Sequence, residues 1–131
     1  MLVRNILEES VQKFGEVKAV KWLKKKEISE RSYYEIMENA ASVRKGLLAE
    51  GFEGKHIALI GTSSVEWIES YLGIITGCTT AVPLDAALPC EDLADLINRS
   101  DCAALFLSPK HRPYLEVFLA NCPGLQKVWM L

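Results

Sequence analysis

Apolar runs return along this chain at a nearly constant interval, and that beat constrains the fold more than any other feature. The runs begin near Ile57, Thr80, Ala103 and Lys127, with gaps of 23, 23 and 24 residues. Between them lie segments with apolar residues at helical spacing, 64–76, 91–99 and 111–120. Strands alternating with helices in this way imply βαβ units and a parallel sheet. The stretches 57–60 and 103–107 are continuously apolar, which suits strands covered on both faces. Pro83 has no N–H for a central ladder, so it is expected at the end of its strand. The expected fold class is α/β: a mostly parallel sheet with helices on both faces, in a Rossmann-like or flavodoxin-like layering. The segments are not copies of one repeat.

The first third has a different pattern. Residues 4–14 place Ile6, Leu7, Val11 and Phe14 at helical spacing, with Gly15 as the stop. A strand over 19–23, a turn over 24–27 and a return strand over 28–31 follow. The run Lys24-Lys25-Lys26 is expected to be a solvated hairpin tip, because three charges alone make little field. Ser32-Tyr33-Tyr34-Glu35 matches a capping box. The helix behind it carries Ile36, Ala40, Val43 and Leu47 on one face and should stop near Gly51. With 131 residues the chain is expected to be one domain, a helix and hairpin over 1–31 leading into an α/β unit over 32–131.

The helix over 64–76 is unusual. Val65, Trp67, Ile68, Tyr71, Leu72, Ile74 and Ile75 cover most of its circumference, leaving Glu66, Glu69, Ser70 and Gly73 as a polar strip. So wide an apolar arc belongs to a helix buried on two sides. It fits either a core helix of a small domain or a face awaiting another layer of protein.

Composition excludes several classes. Half the residues are hydrophobic and 24% are charged, unlike a disordered chain. Fifteen Lys and Arg against seventeen Asp and Glu leave a net charge of −2, no footprint for nucleic acid. No apolar run approaches the roughly 20 residues of a membrane span, and the N-terminal residues lack the apolar core of a signal peptide. Cys78, Cys90, Cys102 and Cys122 are 12, 12 and 20 residues apart, with no C-x-x-C pair and neither His56 nor His111 close in sequence. That spacing does not suit zinc. The four are read as reduced, buried thiols of a cytoplasmic protein.

Gly61-Thr62-Ser63-Ser64 is the leading site candidate from residue types. It follows an apolar strand and opens a helix, so its hydroxyls and free N–H groups can hold a phosphate. The competing reading is that Ser63 or Ser64 only caps the helix, since the loop lacks a second glycine and a nearby Lys or Arg. Lys110-His111-Arg112 opens the last helix on the carboxyl side of a strand, the edge where ligands of open α/β sheets gather. Those residues either meet phosphate or form a solvated helix start. No dinucleotide fingerprint, P-loop or nucleophile elbow is present.

Several segments, in order, resemble AMP-forming acyl-CoA synthetases and related adenylating enzymes. Ser32-Tyr33-Tyr34-Glu35-Ile36-Met37 is similar to their S/T-Y-x-E-L segment, and Gly54-Lys55-His56-Ile57-Ala58-Leu59 to G-D-x-V-A-L. Ser63-Ser64-Val65-Glu66-Trp67 resembles N-S-x-E-W/F, and the run from Ile75 to Asp85 resembles K-A-G-A-x-x-V-P-L-D/N. Glu91-Asp92-Leu93 and Ser100-Asp101-Cys102 resemble the E-E-L and S-G/D-A-K segments that follow. Ile75-Thr76 replaces the usual Lys-Ala, and Ser63 the usual Asn.

The resemblance implies the N-terminal subdomain of a longer ligase of fatty acids or related carboxylates. That enzyme uses ATP and Mg²⁺ to form an acyl-adenylate and passes the acyl group to coenzyme A. The family's Ser/Thr/Gly-rich phosphate loop, ribose-binding Asp, hinge and C-terminal catalytic lysine have no counterpart in the 131 residues. No catalytic, cofactor-binding or metal-ligating residue is therefore assigned, and the chain is expected to be inactive by itself. Leu131 is expected to mark a boundary upstream of the phosphate loop. Asp85, Lys110 and Arg112 are candidates for the neighbourhood of the coenzyme A nucleotide. The expected partners are the rest of the parent enzyme and a second copy through the apolar face of helix 64–76. A stand-alone α/β binding or protein-interaction module is the alternative.

Overall fold

The computed structural model describes residues 2–131. Helix α1 (Val3–Phe14) leads into an antiparallel hairpin of β1 (Lys18–Lys24) and β2 (Glu27–Ser32), then helix α2 (Tyr33–Ala49). The alternating part follows as β3 (His56–Ile60), α3 (Val65–Ile75), β4 (Thr80–Leu84), α4 (Cys90–Arg99) and β5 (Cys102–Leu107). A 3-10 helix (Pro109–Tyr114), α5 (Leu115–Asn121) and β6 (Lys127–Met130) complete it.

The four later strands form one parallel sheet in the order β4-β3-β5-β6. Counted from β3 this is 2-1-3-4, the order of flavodoxin-like sheets, in which the chain switches sides between the first and third strands. Alternate residues of β3 and β5 serve opposite faces. Ala58, Ile60, Leu105 and Leu107 pack with Leu93, Ala94 and Ile97 of α4 and Phe118 of α5. Ile57, Leu59, Ala104 and Phe106 pack with Leu47 of α2, Phe52 and Ile74 of α3. Both central strands are buried on both faces, as their unbroken apolar runs require. Pro83 stands opposite Leu59, one residue before the end of β4; an edge strand tolerates it because one of its sides has no ladder.

The capping box forms in full: the Ser32 hydroxyl accepts from the Glu35 N–H, and the Glu35 carboxylate accepts from the Ser32 N–H at 2.7 Å. That backbone bond, foremost, holds the Glu35 carboxyl below the usual glutamate range. Gly51, at φ +81, turns the chain out of α2. At the hairpin tip Lys25 and Lys26 occupy φ +49 and +69, as a two-residue turn between twisted strands demands.

Two expectations need correction, and the packing of the polar strip on α3 is settled by its partner helix. The strip on α3 does not face water: Glu69, Ser70 and Gly73 are buried, and only Glu66 is exposed. Gly73 explains this, because the absent side chain brings α2 against α3, where an added Cβ would lie 2.5 Å from Val43 Cβ. Glu69 is carried inward with the strip and meets Arg31 of β2 at 3.2 Å. Residues 109–114 are 3-10 rather than α-helical; Pro113 has no N–H and its ring would collide with the carbonyl four residues back. Of the four cysteines, Cys102 and Cys122 are buried and Cys90 half-buried, but Cys78 is exposed in the loop before β4.

Candidate functional site

The loops that leave β3, β4 and β5 surround a cleft of about 690 Å³ at the carboxyl edge of the sheet, beside the point where the strand order reverses. From β3 come Gly61, Thr62 and Ser63; from β4, Leu84 to Ala87; from β5, Lys110 and His111. Trp67 and Tyr114 add aromatic walls. Segments far apart in sequence thus converge because parallel strands place all their carboxyl ends on one side.

Each loop has a local reason for its shape. A Cβ on Gly61 would lie 3.0 Å from a Leu131 methyl and 3.2 Å from Ser108 Cβ, so glycine lets the neighbouring strand end close in. Ser64 is the cap of α3, its hydroxyl accepting from the Trp67 N–H at 3.1 Å. The capping reading therefore holds for Ser64, while Thr62 and Ser63 are exposed in the cleft. Asp85 is exposed and spends one carboxylate oxygen on the Ala87 N–H at 2.9 Å, an Asx turn that shapes its own loop. Lys110 lines the cleft, whereas Arg112 is exposed outside its lining.

His111 has two partners that sequence spacing does not reveal. It is 6% exposed. Its Nε2 meets the Ala86 carbonyl at 2.8 Å and its Nδ1 meets the Ser108 hydroxyl at 2.7 Å. A carbonyl only accepts, so Nε2 donates; in the neutral ring Nδ1 then accepts from Ser108. The imidazole thus ties the loop after β4 to the turn after β5 and sets the distance between two lips of the cleft. His56 is also partnered, through Nδ1 to the Ser100 carbonyl at 2.7 Å.

The chemistry of the lining is nearly neutral: one lysine, one partly committed aspartate, the hydroxyls of Thr62, Ser63 and Tyr114, and a histidine held by protein partners. Such a cleft suits amide- or hydroxyl-bearing groups. It does not suit a triphosphate, whose charge needs several cations or a metal. Among the described residues no three His, Cys, Asp or Glu side chains gather as a metal site.

A second depression, of about 520 Å³, lies on the α2–α3 face beside β6. Val43, Leu47, Phe106 and Trp129 form its floor, and Glu50, Glu66 and Glu69 lie along it. Burial raises the Glu69 carboxyl above the usual glutamate range despite the opposing pull of Arg31. No helix among the described residues is long and apolar enough to cross a membrane.

A family model described as AMP-binding enzyme matches residues 7–128. The chain is 29% identical over 134 aligned positions to a long-chain-fatty-acid–CoA ligase from Rattus norvegicus, covering 97% of this chain and 16% of that ligase. Coronafacic acid ligase from Pectobacterium brasiliense superposes with a TM-score of 0.90 at 20% identity, over 100% of this chain and 26% of its own. The N-terminal domain of FACL13 from Mycobacterium tuberculosis superposes with a TM-score of 0.87 at 16% identity, over 99% of this chain and 34% of its own. At those identities the superpositions establish the α/β fold. The chain spans only a small part of the length of each of these relatives.

Proposed function

We propose, on the premise that the chain belongs to the AMP-binding enzyme family, that it serves as the N-terminal subdomain of a cytoplasmic AMP-forming carboxylate–CoA ligase. The observation that carries this reading is the family match across nearly all of the chain. In such an enzyme ATP and Mg²⁺ activate the carboxylate as an acyl-adenylate before transfer to coenzyme A. The cleft does not fit a triphosphate and no metal-binding group of side chains gathers among the described residues, so no step of that activation is assigned to them. Their work in this reading is scaffolding and the shaping of one wall. The apolar groove beside β6 and the half-buried face of α3 receive the remainder of the ligase.

For coenzyme A, Lys110 and Arg112 offer two exposed cations on one 3-10 turn, suited to nucleotide phosphates. Asp85, on the opposite lip, has a carboxylate oxygen left to accept from a hydroxyl or amine. His111 holds the two lips in register. A fatty acid is the proposed acyl class, as the rat relative's name describes for that enzyme.

The test is pyrophosphate release from ATP and Mg²⁺ across a panel of carboxylic acids. It is run on the 131-residue chain and on the product of its whole reading frame. The chain alone should release none above background, and the whole product should give acid-dependent release. Turnover by the chain alone would overturn the reading. In the active product, Lys110→Glu with Arg112→Glu should raise the KM for coenzyme A about tenfold, one decade per 1.4 kcal/mol of lost attraction, and leave acid-dependent pyrophosphate release unchanged.

A further inference from the structure

The hairpin breaks the expected polarity pattern on its outer face. Side chains alternate along β1 and β2, with Val20, Trp22, Ser29 and Arg31 half-buried toward the body of the molecule. Arg31 lies over the Trp22 ring and reaches Glu69 of α3, so the inner face is anchored. The outer face should then be polar. Lys21 and Glu30 obey that rule, and they sit within 4.0 Å of each other. Leu23 and Ile28 do not. They are direct cross-strand partners, so they stand side by side on the outer face, and each is 73% exposed. These are the most exposed large hydrophobic residues of the described chain.

Their neighbours are cationic. Lys24, Lys25 and Lys26 form the tip directly beyond them, all exposed, with Glu27 the one acidic residue in the turn and facing Lys24 across the ladder. Lys25 and Lys26 are held in the left-handed region, where glycine or asparagine would be more comfortable, so the turn carries its charge at a conformational cost. A polyanion such as RNA would be met by the lysines but has no use for a paired leucine and isoleucine. A protein groove would be met by the apolar pair but gains little from the lysines. Both together, on an exposed two-stranded tip, match the boundary between anionic headgroups and acyl chains.

We infer that the β1–β2 tip is a peripheral membrane contact, in which Leu23 and Ile28 enter the interface of an anionic bilayer and the tip lysines pair with its headgroups. The tip shares no residue with the cleft or with the groove beside β6, so the test of membrane contact and that of the ligase reading fail separately.

The experiment is co-sedimentation of the 131-residue chain with vesicles of phosphatidylcholine alone or mixed with phosphatidylserine. Binding should require phosphatidylserine and weaken with salt. Leu23→Thr with Ile28→Thr keeps two strand-compatible residues and should weaken binding about tenfold or more. Lys25→Asn with Lys26→Gly removes two charges while supplying the favoured turn residues. It should weaken binding about thirtyfold, the effect of two surface lysines, with a hairpin at least as stable. A Leu23→Trp reporter should shift its fluorescence to the blue on the mixed vesicles. The inference is overturned if the chain ignores the mixed vesicles, or if the Lys25→Asn, Lys26→Gly variant binds them as the parent does. Binding to heparin that survives the double Thr change, or self-association in buffer that the double Thr change abolishes, would overturn it as well.

Discussion

Substituting alanine for Gly73 sets helix propensity against packing at a single carbon. In the middle of a helix alanine is better than glycine by about 1 kcal/mol. At Gly73, however, the new Cβ would lie 2.5 Å from Val43 Cβ, 2.6 Å from Val43 Cγ1 and 2.8 Å from the Ala40 carbonyl oxygen. One of those atoms is backbone, so a rotamer change of Val43 cannot relieve the contact; α2 and α3 must separate. Overpacking of this kind costs about 1–3 kcal/mol, and the backbone contact argues for about 3. The net expectation is a loss of about 2 kcal/mol, or about 6–8 °C in Tm for a domain of this size. Gly46, in α2, is the matched control: a Cβ added there would meet nothing within 4 Å. Gly46→Ala should therefore raise stability by about 1 kcal/mol. Urea and thermal melts followed by circular dichroism compare the two directly. Val43→Ala added to Gly73→Ala removes only the Cγ1 contact, so the two changes should add to within about 0.5 kcal/mol, because the Val43 Cβ and the Ala40 carbonyl still stand in the way. If Gly73→Ala stabilises as much as Gly46→Ala, the close approach of α2 and α3 is wrong.

Three further outcomes are expected. His111→Ala leaves the Ala86 carbonyl and the Ser108 hydroxyl without their partner, and should cost about 2 kcal/mol in the same melts. Burial raises the Glu69 pKa, so this group's contribution to stability is fully present below the ordinary glutamate pKa and declines as pH rises through the folded value. Urea melts between about pH 4 and pH 7 should show that decline, and Glu69→Gln should flatten it. In thiol labelling of the folded chain, exposed Cys78 should react first, while Cys102 and Cys122, whose thiols burial pushes up, should wait for unfolding. Labelling of all four at one rate would contradict the core around α4 and α5.

Strands, caps and stops were legible because their signals are local. An unbroken apolar run shows burial on both faces, and Ser32 with Glu35 spells its cap within four residues. The candidate site was legible only in pieces. Gly61 to Ser63, Asp85 and Lys110 were each recognisable as polar residues at strand ends, but Arg112, equally plausible by type, lies outside the cleft. The role of His111 was not legible, since its carbonyl partner lies 25 residues away in a loop whose path depends on the sheet. The burial of Glu69 escaped for a related reason. Polarity argues that a strip holding glutamate and serine faces water, and only the partner helix reveals that the small residues of that strip set the approach.

The amino-acid sequence by itself determined the alternation of strand and helix, the hairpin, the ends of the first four helices and the family to which the chain belongs. These follow from periodicity and from residue types acting on their immediate neighbours. The tertiary structure decided the order β4-β3-β5-β6, the inward turn of the α3 strip, the union of three loops in one cleft, and the isolation of Leu23 and Ile28 on an outer face. Each of those depends on which surfaces meet. Many pairings satisfy the same local pattern, and close packing between elements distant in sequence selects one.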